Sequence, residues 1–288
     1  MFGLSSTTIS EVKSGLEARK TVHKEAYEEK QLISIVVDTT CDRELICLIR
    51  DNFIPQTPAV KVEVMDIHEF QLDNEFQARD LAIILAGENR ELTARVASGF
   101  SEGNIDCAII TTRDQFIPES SLVDSHEQAP VRLIFHERPQ VCLEKLIRWL
   151  LATTDNKLGL GVAFPVLRSY ACDMMIKGCA TENAAIALVP FLNSSDTALM
   201  TANQIKLCVG MAALYNKDIS LKLAPEVGFV IAASYGYRYI ARGLPETSAV
   251  VERGLKAALG AGGTYLTGVV LQNFYRISKN INIDIPNI

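Results

Sequence analysis

Three observations predict an α/β domain followed by an all-α domain. Between residues 31 and 154, short apolar runs alternate with amphipathic stretches of helical length. Beyond residue 155 the strand-type runs stop. The charge changes sign between the two halves, from −9 over residues 1–150 (16 Lys/Arg, 25 Asp/Glu) to +3 over 151–288 (12 and 9). Several apolar runs lack polar alternation, as strands covered on both faces do, so the expected sheet is mostly parallel, helix-wrapped and Rossmann-like. The expected organisation is an N-terminal helical arm over 1–30, the α/β domain over 31–154, and a helical bundle over 155–288. A chain of 288 residues accommodates about two domains.

Residues 8–30 read as a helix. Thr8 and Glu11 have capping-box spacing, and Ile9, Val12 and Leu16 form a thin apolar stripe. The rest of that helix is heavily charged, which suits a solvated arm or an oligomerisation helix. Strand-type runs follow at LISIVV (32–37), VKVEVMDI (60–67), DLAIILAG (80–87), DCAIITT (106–112) and VRLIFHE (131–137). Helical stretches lie between or after them: DRELICLIRDNF (42–53), ENRELTARVASGF (88–100) and QVCLEKLIRWLLATT (140–154). NFIPQTP (52–58) and FIPESSLVDSHEQAP (116–130) are proline-punctuated loops, and TTDNKLGLG (153–161) reads as a hinge.

The second half is Ala/Gly/Leu-rich, and residues 164–192, 196–216, 219–243 and 246–277 read as helices. Their boundaries are Gly178, Pro190 with Asn193-Ser194-Ser195, Asn216-Lys217-Asp218, and Gly243-Leu244-Pro245. Asp196 suits an N-cap, where its carboxylate would accept from first-turn amides. The tail NINIDIPNI reads as extended. The longest uncharged run, Ala257–Tyr275, is 19 residues, against about 20 predominantly apolar residues for a membrane span. Its glycines, threonines, Gln272 and Asn273 weaken that reading, so a tightly packed soluble helix is expected. Gly260, Thr264 and Gly268 share one face and would let another helix approach closely.

The acidic first half argues against nucleic acid as a partner. The seven cysteines (Cys41, Cys47, Cys107, Cys142, Cys172, Cys179, Cys208) are odd in number and contain no CxxC pair. They read as buried thiols rather than a zinc site or disulfide framework. His23, His68, His126 and His136 show no metal-ligand spacing, so no metal or cofactor is expected. The opening MFGLSSTTIS lacks an apolar core region, an early basic cluster and a glycine at position 2. The expected location is therefore cytoplasmic, with peripheral attachment to a membrane as the second option.

A nucleotide-binding α/β protein carries a glycine-rich loop after its first strand, so that backbone amides surround the phosphates, with a Lys for charge and Ser/Thr for magnesium. Here the junction is Asp38-Thr39-Thr40-Cys41-Asp42-Arg43, and no glycine occurs between Gly15 and Gly87. Thr39 and Thr40 do not replace those parts, and Asp38 and Asp42 would repel phosphate.

The order of the domain nevertheless resembles an Era-like GTPase. In that family one strand ends Asp-x-x-Gly and a later one ends Asn/Thr-Lys-x-Asp. The corresponding stretches are Asp66-Ile67-His68-Glu69 and Thr111-Thr112-Arg113-Asp114, with Glu69 in place of the glycine and Thr112 in place of the lysine. The resemblance implies a degenerate GTPase-like domain whose remaining nucleotide positions would be Asp38, Thr39, Thr40, Asp66, Thr111 and Asp114. Residues 183–216 and 228–275 resemble the helical domain of unknown function numbered 697, found behind such GTPases. Pro190, Asp196, Thr201, Gln204 and Tyr215 sit at matching positions, with Asn216 where glycine is usual. That resemblance implies association with GTPase modules, membrane attachment in some members, and no established chemistry.

Two further groups are candidates for contact with a partner. Thr201 and Gln204 lie on one helix at three-residue spacing, and serve either a partner or a neighbouring helix. Tyr235, Arg238, Tyr239 and Arg242 share a helical face that could meet an anionic headgroup, a carboxylate-bearing partner, or nothing but solvent. The leading expectation is a non-catalytic interaction protein with a protein partner, self-association or a membrane surface. One alternative is an enzyme or nucleotide binder with a small ligand at the C-terminal edge of the sheet, where open α/β sheets bind ligands. Another is insertion into a membrane through residues 246–275.

Overall fold

The computed structural model describes residues 17–70, 79–113, 131–188, 195–217, 224–242 and 249–281. The chain divides into two compact units, Tyr27–Tyr170 and the combination of Met1–Ala26 with Ala171–Ile288.

The first unit carries a five-stranded, all-parallel sheet of order β2-β1-β3-β4-β5. Its strands are β1 (Gln31–Val37), β2 (Val60–Asp66), β3 (Leu81–Leu85), β4 (Asp106–Thr111) and β5 (Val131–Phe135). β3 is buried along its whole length, as expected of an apolar run with helices above and below. Helix α2 (Arg43–Asn52) follows β1, α3 (Arg90–Glu102) follows β3, and α4 (Pro139–Thr153) follows β5. Right-handed crossovers that turn to opposite sides place α2 and α3 on opposite faces. On the α3 face, Val96, Ala97 and Phe100 pack into a core with Val36, Ala82, Ile84, Cys107 and Ile109. α4 lies beside α2 and also contacts β4 and β5.

The stretch 153–161, expected as a hinge, is instead the end of α4, a short break and the start of α5 (Lys157–Ala163). Asn156 caps α5 through its side chain, which accepts from the Gly159 amide at 2.7 Å. Leu158, Leu160 and Val162 are buried. A flexible reading of Gly159 and Gly161 fails because burial and the cap hold the backbone in place. A 3-10 turn, Pro165–Leu167, leads into α6 (Arg168–Leu188).

The second unit is helical. α1, described over 17–23, runs into a π-helical turn, Lys24–Glu28. The segment expected as a solvated arm buries Ala18, Val22 and Ala26 at four-residue spacing, and Glu25 pairs with Lys206 at 3.2 Å. Thr8 and Glu11 lie outside the described residues. α6 continues through Gly178, which was expected to end a helix; its missing side chain would meet nothing within 4 Å. One interior glycine costs a helix only about 1 kcal/mol, too little to break a packed one. α7 (Ser195–Leu214), α8 (Ala224–Arg242) and α9 (Ala249–Ile281) complete the unit.

α7 ends in a left-handed residue, Asn216 (φ 56°). The Lys217 amide reaches Ala212 O and the Asn216 amide reaches Ala213 O, both at 2.9 Å. That is a Schellman closure, in which asparagine takes the place usually held by glycine. Among the described residues, no helix is long and apolar enough to cross a membrane, which overturns the reading of a span within α9.

The small residues of α9 serve packing inside the bundle. A Cβ on Gly268 would lie 2.7 Å from Ile176, and one on Gly260 would lie 2.6 Å from the Met200 methyl. Between them Thr264 is wholly buried and its hydroxyl accepts from both Asn183 Nδ2 and Gln204 Nε2, each at 2.8 Å. Asn183 also donates to Met200 O (3.3 Å) and accepts from Asn203 (3.1 Å). One polar cluster thus ties α6, α7 and α9 in register.

Candidate functional site

β1 and β3 are neighbours whose helices lead to opposite sides, which makes the crevice beyond their C-terminal ends the place where open α/β sheets take ligands. In this protein that crevice is held shut by the chain itself. Asp38 continues β1, its amide bonded to Leu85 O at 3.0 Å, and it is fully buried. One carboxylate oxygen accepts from the Thr40 amide (2.9 Å) and the Thr40 hydroxyl (2.7 Å); the other accepts from the Asn89 amide (3.1 Å). Burial by itself would raise the Asp38 carboxyl. The hydrogen bonds from Thr40, Asn89 and the Gly87 backbone together outweigh it, and hold the group below the ordinary carboxylate value. A carboxylate bound by several amides is stabilised as the anion.

The Thr40 hydroxyl completes the closure by accepting from the Glu88 amide at 2.7 Å. Gly87 makes it sterically feasible. A Cβ there would lie 2.2 Å from Thr40 Oγ1, 2.5 Å from the Cys41 nitrogen and 2.6 Å from the Thr40 carbonyl carbon. The loop after β1 therefore presses directly on the loop after β3, and only a residue without a side chain fits between them.

Outside this contact lies a polar belt. Asp42 caps α2, accepting from the Glu44 and Leu45 amides at 2.7 and 3.3 Å, while its second oxygen accepts from Thr112 Oγ1 at 3.2 Å. Arg113 donates to Glu88 (2.7 Å) and to Thr40 O (3.2 Å). The ends of β1, β3 and β4 are thereby tied together.

The expected site residues divide accordingly. Asp38 and Thr40 meet at the crevice, and Thr39 beside them is exposed. Asp66 accepts from the His68 amide at 2.8 Å and forms its own turn at the end of β2. Thr111 is buried, and its hydroxyl accepts from the Arg113 amide at 3.2 Å. Asp114 lies outside the described residues. Sequence reasoning missed Gly87, Glu88, Asn89 and the role of Arg113. The available signal was Gly87 itself, the first glycine after a glycine-free stretch of about seventy residues, placed at the end of a strand.

In the helical unit, Thr201, Gln204 and Tyr215 are buried. Gln204 serves the Thr264 cluster rather than a partner, and Tyr215 stacks on Tyr275 with ring centroids 5.8 Å apart. Asp196 falls in the first turn of α7 rather than before it. On α8, Tyr239 is 83% exposed, and Tyr235, Arg238 and Arg242 lie on the same helix.

The seven cysteines are free thiols, all buried except the half-buried Cys47. Burial pushes Cys41, Cys172, Cys179 and Cys208 up to about 12. Among the described residues, no group of three or more His, Cys, Asp or Glu could hold a metal ion. The chain matches no protein-family model, no curated protein and no solved structure.

Proposed function

We propose that the chain is a non-catalytic interaction protein: a GTPase-like α/β frame whose nucleotide crevice is closed, joined to a helical unit that binds a protein partner or a membrane surface. The observation that carries this reading is the Asp38 carboxylate. In a phosphate-binding crevice, free backbone amides face a bound anion. Here the amides of Thr40 and Asn89 face Asp38 instead. The protein supplies its own buried anion where a nucleotide would have to bring one, and a second negative group would be repelled.

The helical unit supports the interaction half of the reading. On α9, Leu255, Leu266, Val270, Phe274 and Ile277 are exposed, at eleven-, four- and three-residue spacings that keep them on one side of the helix. Phe229 and Tyr239 on α8 are exposed as well. Exposed apolar side chains in such a row mark contact surfaces more often than solitary ones do.

Isothermal titration with GTP, GDP and ATP in the presence of magnesium is expected to give no heat of binding, and micromolar affinity for any of them would overturn the closed-crevice reading. A pull-down of the tagged chain, with and without carbonate-washed membranes, separates a protein partner from a lipid surface.

A further inference from the structure

α9 has two sides of different character. Ala257, Thr264, Thr267, Leu271 and Tyr275 are buried against the bundle. On the opposite side of the helix, Leu255, Leu259, Gly262, Leu266, Val269 and Asn273 are exposed or half-buried. Leu266 is 59% exposed, and a Cβ on Gly262 would meet nothing within 4 Å. These six positions follow one another in steps of four, three, four, three and four residues. A mean step of about 3.5 residues marks the seam along which one helix winds against another. The occupant that such a seam fits is a helix.

We propose that this seam pairs antiparallel with α9 of a second copy of the chain, about a two-fold axis level with Thr264. Shape selects the same helix as its occupant. Residue 264 is the midpoint of the row, so an antiparallel copy centred there brings each seam position onto another seam position. Leu255 comes level with Asn273 of the other copy, Leu259 with Val269 and Gly262 with Leu266, each twice. The two innermost layers therefore seat a leucine over a glycine. A parallel copy would set Leu266 on Leu266 and Gly262 on Gly262, a bulge beside a gap, and bring two Asn273 side chains together in the seam. Charge selects the same arrangement. From Arg253 to Ile281, α9 carries cations and no acidic residue. In the antiparallel register Lys256 stands level with Gln272 of the other copy, and Arg276 level with Glu252. In a parallel pair each cation would meet its own counterpart. The area suffices as well: Val251, Leu255, Leu266, Val270, Phe274 and Ile277 are each about half exposed, and covering them in both copies removes roughly 1,000 Å² of surface, the lower bound of a specific interface. The contact is isologous and uses the seam of each copy, which closes the assembly at two. This inference names the partner of the helical unit, and so rests on the interaction half of the proposed function.

Changing the two innermost layers tests the pairing, read by sedimentation velocity on the full chain at tens of micromolar. The unmodified protein is expected at twice the monomer mass. Gly262→Leu sets leucine against leucine in both layers, and Leu266→Ala leaves both hollow. Each variant alone is expected to associate at least tenfold more weakly. Mixed in equal amounts, the two restore one large and one small residue in each layer, and the doubled mass returns. Both positions are exposed, and Gly262 has open space around it, so far-UV circular dichroism should show the helix content unchanged. An unmodified protein at the monomer mass overturns the self-pairing. So does a doubled mass that neither single variant weakens, since that dimer would use another surface. A mixture that associates no better than its parts overturns the antiparallel register. Flotation with vesicles of phosphatidylcholine and phosphatidylserine separates this failure from that of the proposed function. A monomer that floats leaves the interaction function standing, with lipid as the partner; a monomer that neither floats nor recovers a protein in the pull-down fails both.

Discussion

Substituting Gly87→Ala tests whether the crevice between β1 and β3 is closed by backbone contact. The added methyl would sit 2.2 Å from Thr40 Oγ1, but that hydroxyl could rotate away; the decisive contacts are the Cys41 nitrogen at 2.5 Å and the Thr40 carbonyl carbon at 2.6 Å. These are backbone atoms, so the two loops must separate. Overpacking of this kind costs about 1–3 kcal/mol. Separation also lengthens the bond from the Glu88 amide to Thr40 and the bond from the Asn89 amide to Asp38, worth about 1 kcal/mol together if each is weakened rather than lost. The expected loss is therefore about 2–4 kcal/mol. The sheet unit, Tyr27–Tyr170, has an unfolding entropy of about 0.3 kcal/mol/K, so its midpoint should fall by roughly 7–13 °C. Trp149, the single tryptophan of the chain, lies on α4 in this unit, so its fluorescence reports the relevant transition. The control is Gly178→Ala on α6, where no atom lies within 4 Å; it should gain about 0.5–1 kcal/mol from helix propensity. If Gly87→Ala melts within about 2 °C of the unmodified protein, the loops are not in contact and the closed-crevice reasoning fails.

Thr264→Val keeps the shape of the side chain but removes the acceptor for Asn183 and Gln204. Taking one hydrogen bond from each of two buried amides should cost the helical unit about 1–3 kcal/mol, measured by urea unfolding. Asp38→Asn should destabilise the sheet unit by about 1–3 kcal/mol, because a carboxamide presents one acceptor oxygen and one donor to a set of N–H and O–H donors. The Asp38 carboxyl is lowered on folding, so its contribution to stability is present above the unfolded value near 4 and is lost as pH falls through the lower folded value. Unfolding titrations of the unmodified protein should steepen below about pH 4, and the Asp38→Asn variant should show a shallower acid limb there. Iodoacetamide at neutral pH should label half-buried Cys47 first in peptide mass spectra, with Cys41, Cys172, Cys179 and Cys208 labelled only on unfolding, since burial keeps those thiols protonated. Rapid native alkylation of Cys208 would contradict its burial.

Sheet and helices were legible locally because their signals are local. Each strand run from LISIVV to VRLIFHE corresponds to a strand of the parallel sheet, and helices α2 to α4 begin and end within two residues of the expected stretches. Apolar runs without alternation specify strands with two covered faces, and that property needs no knowledge of the partner elements. The absence of a glycine and a lysine beside β1 was equally a property of the chain alone.

What closes the crevice was not legible, because it depends on a contact about fifty residues apart along the chain. Asp38 beside a strand end reads as repulsive to phosphate, but only the folded sheet brings the Asn89 amide and the Gly87 backbone to its carboxylate. Gln204 could serve a partner or a neighbour on sequence grounds; the approach of α9 at Thr264 brings its amide onto a neighbour. The same holds for the N-terminal segment, whose charge suggests solvent while Ala18, Val22 and Ala26 face inward. Composition and periodicity by themselves determined the five strands and helices α2 to α4, since each residue carries that preference in its own backbone and side chain. Which polar groups meet and which backbones press together were decided only in the tertiary structure, because those are properties of pairs of distant residues rather than of any one of them.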